Sequence, residues 1–322
     1  MTHSEPTVLA LSGGVGGAKL ALGLSHELAA SQLQVLVNTA DDFTHLGLQI
    51  CPDIDTLLYT LSGLSNAELG WGLANETWQT MQAMERLGGD TWFRLGDRDM
   101  ATHLWRSHLL AGGQNLSQVT QQLAHSFGLQ LQVLPMSNDP VQTRVQTAQG
   151  DLPFQHYFVR DQCKPVVTGF NFEGVSSARP NPAVMKWLQS PSPQGIVICP
   201  SNPFVSIDPM LQLPGLWTAL RDSPAPVLLI SPIVGGRALK GPAAKMMAEL
   251  GLPVTAVGVA QHYARRYPGL IDCFVIDESD ATLSQDIREL GLEVAVTSTV
   301  MKDLQHKRQL ARFVIETMGV TP

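Results

Sequence analysis

Short apolar runs alternate with helical stretches along most of this 322-residue chain. Fully apolar strands separated by helices are typical of a parallel sheet that is covered on both faces. The pattern therefore predicts an α/β fold with three layers around a Rossmann-like, mostly parallel sheet. Strands are predicted at 7–11, 34–37, 196–199, 227–230, 254–257, 274–276 and 294–296, and helices at 19–30, 52–61, 242–250 and 303–318.

The region from about 65 to 187 follows a different pattern. Apolar residues at helical spacing predict helices at 75–87, 101–111 and 117–127, and alternation predicts short strands at 141–147 and 154–159. We interpret this region as an inserted, mostly helical substrate-binding subdomain with a small antiparallel patch. No low-complexity linker divides the chain, so residues 1–322 are predicted to form a single nucleotide-binding domain that carries the insertion.

Charge and composition restrict the class of partner. Only 15% of the residues are charged and the net charge is −7, which does not suit a nucleic-acid binder that needs a broad basic face. No apolar run reaches the roughly 18 residues of a membrane span, and Met1 to Pro6 lacks the basic segment that opens a signal peptide. The sequence therefore predicts a cytoplasmic protein with neither a nucleic-acid nor a membrane partner.

A glycine-rich loop, Ser12-Gly13-Gly14-Val15-Gly16-Gly17-Ala18-Lys19, joins the first predicted strand to the first predicted helix. Glycines let a backbone approach a phosphate, and a helix N-terminus offers free N–H groups and a positive dipole end. The loop matches neither the dinucleotide fingerprint nor the P-loop, so it indicates an anion without identifying it, or else a tight turn without a ligand. Similar polar ends follow two later strands, and all three loops are expected to line one pocket.

Four acidic residues follow the second predicted strand and open the next helix: Asp41, Asp42, Asp53 and Asp55. One or two carboxylates are what a protein supplies to Mg²⁺ that is shared with substrate phosphates. The alternative is a helix cap at Asp53 and a solvated Asp42. We predict a Mg²⁺ site formed by Asp41 with either Asp53 or Asp55.

A dense polar turn, Gly96-Asp97-Arg98-Asp99, enters a predicted helix that carries Thr102 and His103. These residues are interpreted either as structural ion pairs or as substrate contacts. Arg94, just upstream, is a candidate for contact with an anionic or ring-bearing substrate.

Taken in order, these motifs resemble the 2-phospho-L-lactate transferase family of coenzyme F420 biosynthesis. The resemblance runs from about residue 8 to 318 and rests on the glycine loop, Asn38-Thr39-Ala40-Asp41-Asp42, Cys51-Pro52-Asp53-Ile54-Asp55-Thr56, the 95–103 block, Pro200-Ser201-Asn202-Pro203 and Ser231-Pro232-Ile233. It implies a homodimeric, Mg²⁺-dependent transferase. The enzyme would move a phospholactyl-type group from a guanosine diphosphate conjugate to the hydroxyl of Fo (7,8-didemethyl-8-hydroxy-5-deazariboflavin), releasing GMP. The transferred acid stays open between 2-phospholactate, phosphoenolpyruvate and 3-phosphoglycerate.

The resemblance also implies roles for individual residues. Asp55 and Asp41 are the candidate catalytic residues, and the metal ligands come from Asp41, Asp53 and Asp55. The implied Fo-binding residues are Asp55, Arg94, Asp97, Arg98, Thr102 and His103. The implied nucleotide-binding residues are Gly13, Gly14, Gly16, Gly17, Lys19, Ser201, Asn202, Ser231, Gly235 and Lys240. We expect Asp55→Ala to abolish transfer and to leave the fold intact.

Two positions depart from the family pattern. The family usually has His-Phe-Gln near Phe154-Gln155, whereas here Pro153 precedes Phe154 and the histidine follows as His156; Asn138 stands where a second Asp is common. The alternative function is a non-catalytic, nucleotide-sugar-binding regulator, similar to the gluconeogenesis-factor proteins that share the glycine loop and the Asn-Pro strand end. Arg94 and the 96–103 block favour the enzyme.

Overall fold

The structure, a computed structural model, describes residues 7–66 and 71–321. Met1 to Pro6, which entered the prediction of a cytoplasmic protein, lie outside the described residues. The strands are β1 (Val8–Ser12), β2 (Leu33–Val37), β3 (Phe43–His45), β4 (Leu48–Ile50), β5 (Gln132–Pro135), β6 (Gln142–Thr147), β7 (Gly150–Pro153), β8 (Val167–Glu173), β9 (Gly195–Ile198), β10 (Val227–Ile230), β11 (Ile233–Val234), β12 (Arg237–Ala238), β13 (Cys273–Asp277) and β14 (Glu293–Thr297). The helices are α1 (Val15–Ser25), α2 (Pro52–Leu61), α3 (Gln79–Arg86), α4 (Asp97–Ala111), α5 (Leu116–Ser126), α6 (Pro182–Leu188), α7 (Asp208–Leu211), α8 (Leu216–Arg221), α9 (Ala243–Glu249), α10 (Ala256–Arg266), α11 (Ser284–Arg288) and α12 (Leu304–Met318). Shorter helical turns lie at His156–Arg160, Pro203–Ile207 and Glu278–Leu283.

The main sheet has seven strands in the order β14-β13-β10-β9-β1-β2-β5, and every strand pair in it is parallel. This confirms the predicted α/β fold with a Rossmann-like parallel sheet. The chain moves outward from β1 through β2 to β5, then returns to β9 and moves outward in the other direction to β14. The strand order therefore reverses between β1 and β9, and ligands of open α/β sheets bind at the carboxyl ends of the strands at such a reversal.

Both faces of the main sheet are covered by helices. Along β1, Leu9 and Leu11 enter one hydrophobic layer and Val8 and Ala10 enter the other, as the alternation of side chains along a strand requires. Helices α6, α8, α9 and α10 bury residues in the first layer, and α1, α2, α5 and α12 bury residues in the second. None of the helices within 7–66 and 71–321 is long and apolar enough to span a membrane.

Smaller antiparallel sheets accompany the main one. Strands β7, β6 and β8 form the predicted antiparallel patch, and β3 pairs with β4 as β11 does with β12. Strand β5 lies within the 65–187 region but joins the main sheet beside β2. The boundaries of the insertion and the single-domain organisation stay predictions.

Two predicted strands are wrong. Residues 154–159 form a helical turn, in which Phe154 stacks on Phe158 with ring centroids 5.4 Å apart, because residues four apart share one face of a helical turn. Residues 254–257 lead into α10, where the Thr255 hydroxyl accepts a hydrogen bond from the Gly258 N–H at 3.2 Å. At this position the Thr255 cap favours the start of a helix more strongly than the short apolar run favours a strand.

The glycine loop after β1 packs directly against the loop after β9. The Gly13 N–H donates to the Ser201 hydroxyl at 3.0 Å. A methyl group on Gly16 would overlap the carbonyl oxygen of Pro200, and one on Gly17 would overlap the Ser201 hydroxyl. The glycines at 16 and 17 are thus required for two loops to meet at the reversal of strand order.

Gly16→Ala is expected to destabilise the protein by about 1–3 kcal/mol, since the added methyl meets fixed backbone. Alanine would otherwise stabilise helix α1 by up to about 1 kcal/mol, so a loss cannot come from helix propensity. Urea unfolding at equilibrium measures the difference. Ser25→Ala, at the end of the same helix, is the control and should stay within about 0.5 kcal/mol of the wild type. A Gly16→Ala variant as stable as the wild type would show that the two loops are not in contact.

Candidate active site

A cavity of about 760 Å³ opens at the carboxyl ends of the strands, within the range of about 300–1,000 Å³ typical of ligand pockets. Its wall includes residues from the loops that follow β1, β2, β9, β10 and β14. The predicted site residues that line it are Gly14, Gly16, Lys19, Asp41, Asp53, Arg94, Ser201, Asn202, Ser231 and Lys240. The glycine loop, predicted to bind an anion, and the predicted acidic residues Asp41 and Asp53 therefore line the same cavity.

Asp41 and Asp53 form a buried pair of carboxylates on the cavity wall. Asp53 lies in the first turn of α2, where Asn38 donates to its Oδ2 at 3.0 Å. Burial raises the pKa of Asp53 to about 6, and the Asn38 hydrogen bond opposes that rise. Burial, and then repulsion from Asp53 and Asp42, raises the pKa of Asp41 well above its ordinary range. The raised pKa values indicate two acids that lack a counter-charge.

The carboxylate pair fits a divalent cation. Asp41 Oδ1 is buried and has no hydrogen-bond partner among residues 7–66 and 71–321. Over the same residues, no group of three or more His, Cys, Asp and Glu side chains is placed to hold a metal. Mg²⁺ is usually held by one or two carboxylates together with waters and substrate phosphates. Asp41 and Asp53 are therefore the residues that would hold Mg²⁺, with the remaining ligands supplied from outside the protein.

Asp55 points away from this pair. The Arg106 guanidinium binds both of its carboxylate oxygens, and His103 Nδ1 lies 3.6 Å from its Oδ2. Asp55 does not line the cavity. Asp53 and Asp55 are two residues apart on helix α2, and a helix rotates by about 200° over two residues. The structure therefore does not bring Asp55 to the cavity, and of the two candidate partners for Asp41 only Asp53 is there.

The 96–103 block makes structural contacts and does not line the cavity. The Asp97 carboxylate accepts hydrogen bonds from the Thr77 hydroxyl and from the Gln79 and Thr80 N–H groups at the start of α3, and the bond from Thr77 most strongly lowers the pKa of Asp97. The exposed Arg98 donates to the Ala74 carbonyl at 2.8 Å. Thr102 and His103 are buried on α4, where His103 Nε2 lies 3.3 Å from Asp99.

Three predicted nucleotide-binding glycines lie behind the cavity wall. Gly13 and Gly17 pack on the loop after β9, and the Gly235 N–H donates to Asp280 at 2.9 Å. None of the three lines the cavity. They shape the backbone next to Gly14, Gly16 and Val234, which do line the cavity.

Cationic side chains converge on the glycine-loop side. Lys19, Lys240 and Lys302 line the cavity. Burial lowers the pKa of Lys19, and the positive charge of Lys240 lowers it further, so these two ammonium groups face a common region. An anionic ligand placed there would relieve their repulsion.

Part of the cavity lining is an aromatic wall, which we define as Trp92, Phe93, Phe154 and Phe158. Sequence reasoning missed it, although Trp92 and Phe93 directly precede Arg94. Sequence reasoning also missed Thr299 to Lys302, which follow β14 at the same sheet edge; their position after a parallel strand was the available signal. Arg94 itself lines the cavity, with its guanidinium 4.6 Å from the ring centroid of Trp78.

Comparison with known proteins gives a consistent result. The family model described as 2-phospho-L-lactate transferase CofD matches residues 8–318. The chain is similar to the 2-phospho-L-lactate transferase of Methanosarcina acetivorans, with 39% identity over 96% of this chain and 98% of that protein. It is also similar to the phosphoenolpyruvate transferase of Kitasatospora aureofaciens, with 38% identity over 95% of each. A solved structure of a UPF0052-family protein from Bacillus halodurans shares the fold, with a TM-score of 0.65, 14% identity and coverage of 97% of this chain and 99% of that one.

Asp53→Asn is expected to stabilise the metal-free protein at pH 8. The pKa of Asp53 is about 6 in the folded protein and 3.8 ordinarily. At a pH where Asp53 is ionised in both the folded and the unfolded protein, its charge therefore destabilises the folded state. This penalty declines as the pH falls through 6 and is absent below 3.8. We therefore expect a gain of about 1–3 kcal/mol at pH 8 that disappears near pH 4, measured by urea unfolding.

A second arm of this experiment uses Mg²⁺. The ion should raise the melting temperature of the wild type and leave that of Asp53→Asn unchanged. Asp286→Asn, which removes an exposed carboxylate on α11, is the control and should behave as the wild type in both arms. An Asp53→Asn variant that is less stable than the wild type at pH 8 would contradict a carboxylate without a counter-charge.

The structure changes the expectation that Asp55→Ala leaves the fold intact. The substitution is expected to destabilise the protein, because it leaves the fully buried Arg106 without its partner. The loss should be about 3–5 kcal/mol, and the double variant Asp55→Ala/Arg106→Met should lose much less than the sum of the single variants Asp55→Ala and Arg106→Met. Chemical denaturation of the four proteins of this cycle gives the coupling energy. Additive losses would mean that the ion pair is not formed.

Proposed function

Because this chain belongs to the 2-phospho-L-lactate transferase family, we propose that it transfers a phospho-acid group from its guanosine diphosphate conjugate to the hydroxyl of Fo. The products are GMP and a coenzyme F420-0-type phosphodiester. Membership of the family makes the chain a transferase; the acceptor, the donor and the Mg²⁺ requirement are parts of the proposal.

The placement of the buried carboxylate pair carries this proposal. Gly14 lies beside the Asp53 carboxylate, and Lys19 follows in helix α1. Asp41 interacts with Asp53, and the Asp41 carbonyl accepts a hydrogen bond from Gln155 at 3.3 Å, next to the aromatic wall. The groups that border the cavity therefore follow one another from a lysine, through two carboxylates, to aromatic rings. A donor diphosphate, a divalent cation and a flat ring would be matched in the same order.

The donor would be bound by the glycine-loop side. Lys19 and Lys240 would neutralise the diphosphate, and backbone N–H groups at the start of α1 would face its oxygens. Ser201 and Asn202, from the loop after β9, would border the nucleotide. Because the loops are held together by close glycine contacts, these groups are oriented before the substrate arrives, which is the condition for electrostatic stabilisation of transferred phosphoryl groups.

In the reaction, the hydroxyl oxygen of Fo forms a bond to the phosphorus of the phospho-acid, the phosphoanhydride bond breaks with its electron pair going to the GMP phosphate, and the hydroxyl proton is released to solvent. Mg²⁺, when bound, would supply positive charge to the phosphate oxygens. The resemblance suggested Asp55 for the orientation of the acceptor hydroxyl, but Asp55 is bound to Arg106 outside the cavity. We assign that role to Asp41, which lines the cavity and whose carboxylate would accept a hydrogen bond from the hydroxyl.

The identity of the transferred acid stays open. Relatives named for phospholactate and for phosphoenolpyruvate are 39% and 38% identical to this chain, so similarity does not separate the two, and 3-phosphoglycerate is a third candidate. The acid itself would lie between the carboxylate pair and the lysines.

The test is incubation of the protein with Fo, GTP, Mg²⁺ and each candidate phospho-acid together with its guanylyltransferase, followed by mass spectrometry. We expect one donor to give a phosphodiester of Fo and an equivalent amount of GMP, and the product mass identifies the acid. Asp41→Asn should reduce kcat by about 10²–10³-fold, whereas the exposed Asp286→Asn should stay within about twofold of the wild type.

The alternative function gives a different result. Tight binding of a guanine nucleotide or nucleotide sugar, with no product from any of the three donors, would reject the transferase and favour the non-catalytic regulator.

A further inference from the structure

The aromatic wall is an apolar surface in the lining of the cavity. Its members come from two distant segments, Trp92 with Phe93 and Phe154 with Phe158. Phe154 and Phe158 are stacked with an interplanar angle of 6°. Aromatic rings that face an open cavity are suited to a flat, apolar ligand, because they offer a large contact area with little loss of side-chain entropy.

Trp92 is held by ring contacts and by a hydrogen bond of its indole. His156 and His45 contact it at centroid distances of 4.8 and 5.3 Å, both close to perpendicular. Phe43 lies 5.9 Å away, and the indole N–H donates to Asp90 at 3.1 Å. The orientation of the indole is therefore set by contacts on several sides before any ligand binds.

The surroundings of Trp92 favour an uncharged ligand. Burial lowers the pKa values of His45 and His156, so both imidazoles are neutral at physiological pH. The lysines that line the cavity come from α1 and from the segments after β12 and β14, and none of them belongs to the segments of the aromatic wall. The four wall residues carry no charge themselves, and Arg94, which also lines the cavity, has its guanidinium over the ring of Trp78.

We propose that Trp92 is the residue that binds the tricyclic ring of the deazaflavin acceptor, and that His156 positions its indole. This inference rests on the proposed function and names the part of the site that selects the acceptor. It also gives a role to the departure at residues 153–156, since His156 follows Gln155 here and contacts Trp92. Gln155, which follows Phe154 of the wall, donates a hydrogen bond to the Asp41 carbonyl at 3.3 Å and so connects the wall to Asp41.

The experiment titrates the protein with Fo and follows the emission of Fo itself, with and without GMP. An indole in van der Waals contact quenches an excited flavin-like ring, so the wild type should bind and quench. Trp92→Leu should weaken Fo binding by about 5–150-fold, the range expected when one stacking contact is lost, and should lose the quenching. Trp92→Phe should keep most of the affinity. Trp105→Leu, at an exposed tryptophan that does not line the cavity, is the control and should match the wild type.

Turnover provides an independent readout. Trp92→Leu should raise the KM for Fo and leave the KM for the guanylylated donor unchanged, and its affinity for GMP should equal that of the wild type. His156→Ala should reduce the quenching per bound Fo, because the indole is no longer held in place.

The possible outcomes distinguish a failure of the role of Trp92 from a failure of the proposed function. If the wild type binds and turns over Fo and Trp92→Leu does the same with equal affinity and quenching, the role of Trp92 is overturned and the proposed function stands. If Trp92→Leu loses GMP affinity instead, the wall binds the nucleotide base and the proposal is again overturned. If the wild type binds no Fo under either condition and forms no product with any donor, both the proposed function and the role of Trp92 are rejected.

Discussion

The contact between the loop after β1 and the loop after β9 is the constraint on which the rest of the site depends. These loops meet where the strand order reverses, and they meet only because residues 16 and 17 carry no side chain. Their contact places Lys19 and Ser201 on the same cavity and leaves the Asp53 carboxylate beside Gly14. A bulkier loop would separate β1 from β9 at their carboxyl ends and remove the crevice in which ligands of such folds bind.

The protein treats two buried acids on helix α2 in opposite ways. Asp55 is paired with the fully buried Arg106, so its charge is compensated inside the protein. Among residues 7–66 and 71–321, the Asn38 amide is the one hydrogen-bond donor to the Asp53 carboxylate, which also lies near a second uncompensated acid, Asp41. Unpaired buried charge destabilises a fold, and its presence on a cavity wall is what a cation-binding role requires. One acid on the helix therefore stabilises the fold, and the other, a half-turn away, serves the proposed site.

The sequence predicted the parallel sheet and the meeting of the glycine loop with Asp41 and Asp53, because both follow from local patterns and from the shared edge of parallel strands. It could also have separated Asp53 from Asp55, since two residues of helix place them on opposite faces. It could not predict that Arg106, about fifty residues away, would bind Asp55. Nor could it predict the aromatic wall, because Trp92 and Phe154 become neighbours only through tertiary packing, and 154–159 looked like a strand.

The central claim is that a divalent cation binds between Asp41 and Asp53 at the reversal of strand order. A crystal structure of the protein with Mn²⁺ and GMP, analysed by anomalous scattering at the manganese edge, tests it most directly. We expect one peak within ligand distance of carboxylate oxygens of Asp41 and Asp53, bordered by the nucleotide phosphate, and an undisturbed Asp55–Arg106 ion pair. A peak on Asp55, with Arg106 displaced, would contradict this assignment, and so would a bound nucleotide with no peak near the carboxylate pair.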